Sequence, residues 1–141
     1  MFKKIVWAND SSWQAQRALP LVKELAADGS AKLVVVYAQE GGVMGKLFVE
    51  KGEQTPPQIL KHTVEELETA GLDAELMVVR SGGGGQSQAI ADVAREIGAD
   101  LIVAGNAGHG AVGGVVFGSI LGRLLHLAPC PVLTVPATAT G

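Results

Sequence analysis

Gly105, Gly108, Gly118 and Ser119 have the types and spacing that suit chemistry with an anion. Two residues separate the first pair of glycines, and nine separate Gly108 from Gly118. Glycines at 105 and 108 let the backbone turn tightly and approach a ligand with no Cβ in the way. Amides near Gly118 and Ser119 open a helix, where unpaired N–H groups and the helix dipole favour a phosphate; Ser119 adds a hydroxyl donor. The same residues read equally as an ordinary helix start. The spacing is not that of a Walker loop, having no GKS or GKT, and no GxGxxG follows the first apolar run. Catalytic pairing is absent: His62, His109 and His126 fall on different predicted elements, and Ser119 has no base near it. The single Cys130 excludes an intrachain disulfide, fits no metal pattern and reads as packing between two prolines.

The elements that must position these residues alternate regularly. Lys3 to Ala8 is a short apolar strand, ended by Asn9-Asp10-Ser11-Ser12, a cluster of helix-cap residues. Trp13 to Asp28 follows a helical period through Ala15, Ala18, Leu19, Val22, Leu25 and Ala26, with a kink expected at Pro20 and closure at Gly29. Ala31 to Ala38 is apolar on both faces, as in a covered parallel strand. Gln39 to Pro57 reads as a long, mobile connection whose apolar residues either close over a ligand or pack on the domain edge. Gln58 to Ala70 is helical and Gly71 ends it. Leu72 to Val79 is an edge strand, wet at Asp73 and Glu75. After Gly82 to Gly85, Ser87 is the expected cap of a helix closed by Gly98. Asp100 to Ala104 is the fourth strand. Phe117, Ile120, Leu121, Leu124, Leu125 and Ala128 form a helical stripe, with His126 complementing its C-terminus. Pro131 to Val135 is the fifth strand, and a flexible tail begins at about residue 137.

This β-α alternation predicts one domain over residues 1–141: an open, five-stranded parallel sheet with right-handed crossovers and helices on both faces. Such sheets bind ligands beyond the carboxyl ends of their strands, where strand order reverses. Asp10, Tyr37 to Gln39, Arg80 to Gln86 and Gly105 onward all lie at carboxyl ends, and Asp10 reads there as a site residue or a cap. The 48% hydrophobic content with only 4% aromatics fits an aliphatic α/β core rather than a disordered chain. A net charge of -3 without a Lys/Arg stripe argues against a nucleic-acid partner. The start MFKKIVWAND lacks a long apolar region, and no run reaches the roughly 18 apolar residues of a spanning helix, so a cytoplasmic location off the membrane is expected. From Leu101 to Gly141 the only charged residue is Arg123, so this third is either buried or covered by a partner.

The start KKIVWANDSS, the strand VVVYA, the segment GADLIVAGNAGHG and FGS followed by APCPVLTV together resemble the universal stress protein family over nearly the whole length. Gly105, Gly108, Gly118 and Ser119 match the G-2x-G-9x-G-[S/T] signature of its nucleotide-binding branch. The resemblance implies a Rossmann-like, adenine nucleotide alpha hydrolase-like sheet of order 3-2-1-4-5 with ATP across the crevice between the first and fourth strands. It implies that Asp10 meets the nucleoside, that Val36, Tyr37 and Ala38 line the adenine pocket, and that Gly105 lies near the ribose. Gly108, Gly118, Ser119 and the backbone of Ile120 would then contact phosphates, with Mg or Mn bridging them. His109 would meet a phosphate or have no task. Tyr37 would flank the base or only fill the strand end. It also implies a homodimer through Val132 to Val135.

Where family loops often carry basic residues, this chain has Asn106, Ala107 and His109. No Lys or Arg lies between Asp100 and Leu121, so triphosphate charge would fall to amides, metal and the distant Lys46 or Lys51. Weaker or more metal-dependent ATP binding, or a preference for ADP or AMP, is therefore expected. The leading expectation is a nucleotide-responsive binding or regulatory module with a protein partner still to be identified. The alternatives are a slow ATP hydrolase or phosphotransferase, and a nucleotide-free protein-interaction module.

Overall fold

Runs of β-branched and aliphatic residues build five strands, each returned to the sheet's other end by helix. The computed structural model describes residues 2–27, 30–39, 54–105 and 119–136. Their order is β1 (Lys4–Ala8), α1 (Trp13–Gln16), α2 (Leu19–Leu25), β2 (Lys32–Gln39), α3 (Pro56–Thr69), β3 (Asp73–Arg80), α4 (Gly85–Ile97), β4 (Leu101–Gly105), α5 (Ser119–Leu127) and β5 (Val132–Val135). All strand pairs are parallel and the sheet order is β3-β2-β1-β4-β5, as expected. Order reverses at β1, which pairs with β2 on one side and β4 on the other.

Alternation along the strands divides the core between two faces. Ile5, Trp7, Leu33, Val35, Tyr37 and Val103 face α2 and α3, packing on Val22, Leu60, Val64 and Leu67. Val6, Val34, Val36, Ala38, Ile102 and Ala104 face α4 and α5, packing on Ile90, Ala94, Leu121 and Leu124. Burial on both faces explains why β1, β2 and β4 read as unbroken apolar runs. β3 alternates between partly buried and exposed residues, as its acidic positions suggested for an edge. At the amino end, the Asp100 carboxylate accepts from the Lys3 amide at 2.8 Å and the Lys4 amide at 3.1 Å. That fixes β4 beside β1 and so sets where their other ends emerge.

Several boundaries differ from the sequence reading. The first helical pattern is two helices: a turn at Arg17 and Ala18 ends α1, and Pro20 stands in the first turn of α2, where its missing N–H costs nothing. Gly29 lies outside the described residues. Pro56 and Pro57 belong to α3 rather than to the connection before it. Thr55 caps that helix: its hydroxyl accepts from the Gln58 amide at 3.4 Å, and the Gln58 side chain accepts from the Thr55 amide at 2.9 Å. Gly71, at φ +88, ends the segment after α3. Of the expected long connection, residues 40–53 lie outside the described residues, as do 137–141.

Ser87 does not cap α4. The helix opens two residues earlier, at Gly85, and Ser87 is buried inside it with its hydroxyl donating to the Ile120 carbonyl at 2.9 Å. In α5, Leu121 and Leu124 are buried as the stripe requires, whereas Ile120 and Leu125 are exposed. Trp7 is a core residue. Trp13 is exposed, with the Arg17 guanidinium 5.6 Å from its ring centre.

Candidate functional site

The carboxyl ends of β1, β2 and β4 and the openings of α4 and α5 surround the point where strand order reverses. At the end of β1 the chain turns through Ser11, whose φ of 70 is left-handed. Two local bonds hold this turn: the Asn9 Oδ1 accepts from the Ser11 amide at 2.8 Å, and the Asp10 Oδ1 accepts from the Ser12 amide at 2.9 Å. Ser12 is the true cap of α1, accepting from the Ala15 amide at 3.2 Å. Asp10 is therefore not the N-cap, and its carboxylate stands exposed at the switch point, with Oδ2 unbonded among the described residues.

Asn9 is a residue that sequence reasoning treated only as one of four polar neighbours. It is buried, and its Nδ2 donates to the Gln16 Oε1 at 3.1 Å. The Gln16 Nε2 in turn donates to the Thr63 hydroxyl at 3.0 Å, and that hydroxyl donates to the Ile59 carbonyl at 3.2 Å. This chain of side-chain hydrogen bonds ties the β1 turn to α3. No sequence signal separates it from an ordinary polar turn, because its partners lie on two other helices.

Val36, Tyr37 and Ala38 are all buried, Tyr37 on the α2/α3 face and the other two on the α4/α5 face. Their backbones matter more than their side chains. The Val36 carbonyl accepts from the Asn9 amide at 3.0 Å, on the β1 side, and the Gln39 carbonyl accepts from the Ser81 amide at 2.8 Å, on the β3 side. Alternate residues of a parallel strand face opposite neighbours, so the Ala38 N–H and C=O face the β1 side. The last β1–β2 pair is Ala8 with Val36, so β1 has already ended there. A donor and an acceptor thus stand side by side beyond the end of β1, the acceptor meeting the Gln86 Nε2–H at 2.8 Å.

Gly105 ends β4, and a Cβ built there would meet the Gln14 carbonyl oxygen at 2.7 Å and the Ala15 Cα at 3.1 Å. Close packing of α1 against the end of β4 accounts for this glycine without any ligand. Ser119 is the first residue of α5 and Ile120 follows it in the first turn. The Ser119 side chain, with Gly108, His109 and Gly118, lies outside the described residues. The sequence reading also missed a cation: the exposed Arg123 turns toward the opening of α4, its Nη1 4.0 Å from where a Cβ on Gly85 would be.

The remaining reactive groups stand apart. Cys130 precedes β5, at the amino end of the sheet, and burial, reinforced by the Asp100 charge, pushes its thiol above the ordinary value. That shift disfavours the thiolate. His62 sits on the outer face of α3 with Nδ1 3.6 Å from the Glu65 Oε2, and His126 is exposed in the last turn of α5. Among the described residues no three His, Cys, Asp or Glu side chains gather into a metal site, and no helix is long and apolar enough to cross a membrane.

Such a parallel sheet, with helices on both faces and a crevice at the reversal of strand order, defines a Rossmann-like α/β domain of the adenine nucleotide alpha hydrolase-like type. The universal stress protein family model matches residues 1–136. A universal stress protein of Thermus aquaticus is 36% identical over 138 residues, covering 96% of this chain and 99% of the relative. The solved structure of a universal stress protein from Archaeoglobus fulgidus superposes with a TM-score of 0.75 at 25% identity, covering 95% of this chain and 98% of the other. An Arabidopsis thaliana family protein, solved with AMP bound, superposes with a TM-score of 0.66 at 16% identity, covering 97% and 93%. The chain belongs to the universal stress protein family.

Proposed function

We propose that this protein binds an adenine nucleotide across the β1/β4 crevice and acts as a nucleotide-responsive regulatory module. The observation that carries the reading is the open edge at Ala38. The Ala38 C=O, which accepts from the Gln86 side chain, stands beside an N–H with no partner among the described residues, and the pair matches the donor–acceptor edge of adenine, its amino group beside a ring nitrogen. Asp10 stands at the neighbouring strand end, where a carboxylate accepts from ribose hydroxyls. Gly105 and the loop carrying Gly108 and His109 would follow toward the phosphates. The amides of Gly118, Ser119 and Ile120 at the start of α5 would hold them. Support also comes from the family relative solved with AMP.

Phosphate charge in this arrangement is met by amides, by Arg123 and by magnesium or manganese entering with the nucleotide. With Arg123 the cation placed there among the described residues, AMP and ADP should compete well with ATP, and ATP should depend on the metal. The protein would work as a homodimer joined through Val132–Val135, passing the nucleotide state to a protein partner. The isolation of Cys130, His62 and His126 from the crevice favours a holder of nucleotide over a catalyst.

Titration calorimetry with AMP, and with ATP in magnesium or in chelator, tests this. Micromolar to millimolar binding is expected, with ATP weakened at least threefold by the chelator. Asp10→Ala and Gly118→Val should each weaken binding tenfold or more while leaving the fold intact. Absence of adenine-nucleotide binding at millimolar concentration, or unchanged affinity in a folded Gly118→Val protein, would overturn the site.

A further inference from the structure

The open edge at Ala38 already has an occupant. Gln86, the second residue of α4, donates its Nε2–H to the Ala38 carbonyl at 2.8 Å. That bond replaces the strand partner that β1 no longer supplies, and a buried carbonyl left without one would cost free energy. The amide is also a close chemical likeness of what a base would bring: a planar N–H donor aimed at the same oxygen.

The four glycines before Gln86 explain how it reaches this position. The Gly85 amide donates to the Gly82 carbonyl at 3.0 Å, closing a tight turn directly after β3. Gly85 takes φ +82, a left-handed conformation that L side chains rarely adopt. A Cβ on Gly84 would lie 2.8 Å from the Gln88 Cβ, so this position also needs glycine. The tract starts α4 two residues before the expected serine cap and brings Gln86 back over the end of β2. The next residue, Ser87, is fixed by its bond to Ile120, which anchors this turn of α4 against α5.

We infer that Gln86 is a built-in competitor for the base edge, setting the affinity of the crevice for adenine nucleotides. The inference rests on the adenine reading above. A base that hydrogen-bonds the Ala38 carbonyl exchanges one N–H···O=C bond for another of the same kind. It therefore gains little at that oxygen until the amide has swung away. The ribose and phosphate contacts do not involve Ala38, so Gln86 acts on the base alone.

The test compares Gln86→Ala and Gln86→Met with the wild-type chain, using AMP in calorimetry and ribose 5-phosphate as a competitor. Met fills similar space without a donor, so it separates the hydrogen bond from bulk. Both variants should bind AMP two- to tenfold more tightly, the range of one net neutral hydrogen bond. Ribose 5-phosphate should be unaffected. Unchanged or weaker AMP binding in the variants, a gain in the Ala variant alone, or an equal gain for ribose 5-phosphate would each overturn the inference. If wild type binds AMP and the variants show no gain, this inference fails alone. If none of the three proteins binds AMP, the adenine reading fails and takes the inference with it.

Discussion

Gly105 and Asn9 show that single residues at this crevice answer to packing as well as to any ligand. Gly105 is expected near a ribose, yet the Gln14 carbonyl oxygen, 2.7 Å from a Cβ at this position, already requires glycine. The near atoms are backbone, which cannot swing aside, so Gly105→Ala must shift α1 or bend β4. Overpacking of this kind costs about 1–3 kcal/mol. Urea denaturation without nucleotide should show that loss for Gly105→Ala. Stability equal to wild type, with nucleotide binding alone impaired, would make the glycine a ligand residue and nothing else. Asn9 is the converse: a polar residue that resembles part of a loop, yet buried and bonded through Gln16 to Thr63. The positions of Asp10, Ala38, Gln86 and Gly105 near carboxyl strand ends were legible because strand ends can be counted from apolar runs. The bonds made by Asn9 and Gln86 were not, because their partners Gln16 and Ala38 lie 7 and 48 residues away in sequence.

At the scale of elements, apolar periodicity located the described strands and helices apart from the break between α1 and α2, and the departures occur where local polar chemistry chooses the ends. Pro20 reads as a defect inside one helix, but the chain uses it to begin a second. Pro56-Pro57 reads as loop, but Thr55 and Gln58 satisfy each other's backbone amides and turn both prolines into a helix start. The signal for that capping box is present in the sequence as Thr-x-x-Gln. Ser87 read as a cap because serine favours caps, yet the Ile120 carbonyl on α5 holds its hydroxyl instead. The capping box carries a direct prediction. Thr55→Ala removes the acceptor for the Gln58 amide and should destabilise the protein by about 1 kcal/mol. The residues that line the crevice are untouched by it. Thermal unfolding should shift while AMP affinity at low temperature stays within twofold; an unchanged midpoint would mean that α3 is held by its packed face alone.

At the scale of the whole molecule, an asymmetry in the sheet bears on the homodimer proposed above. One edge, β3, is protected by charge: Asp73, Glu75 and Arg80 stand along it, and Lys32 of β2 lies 3.7 Å from Glu75. The other edge, β5, is Val132-Leu133-Thr134-Val135, with no charge and no strand beyond it among the described residues. Exposed apolar residues stand on the helix leading into it, Ile120 at 37% and Leu125 at 51% exposure. An unprotected, uncharged edge is a template for pairing with another strand, and a second copy of β5 is self-complementary. The register separates pairing from folding. The Ile102 amide donates to the Pro131 carbonyl at 3.0 Å, so Pro131 and Leu133 face β4 while the N–H groups of Val132 and Thr134 face outward. Thr134→Pro deletes only an outward donor, a substitution that an edge strand accepts. The variant should unfold within about 1 kcal/mol of wild type. In light scattering it should run at the mass of one chain where wild type runs at two. A Thr134→Pro protein that stays dimeric would place the dimer interface elsewhere, and a wild-type protein that is monomeric at tens of micromolar would remove the dimer from the proposal altogether.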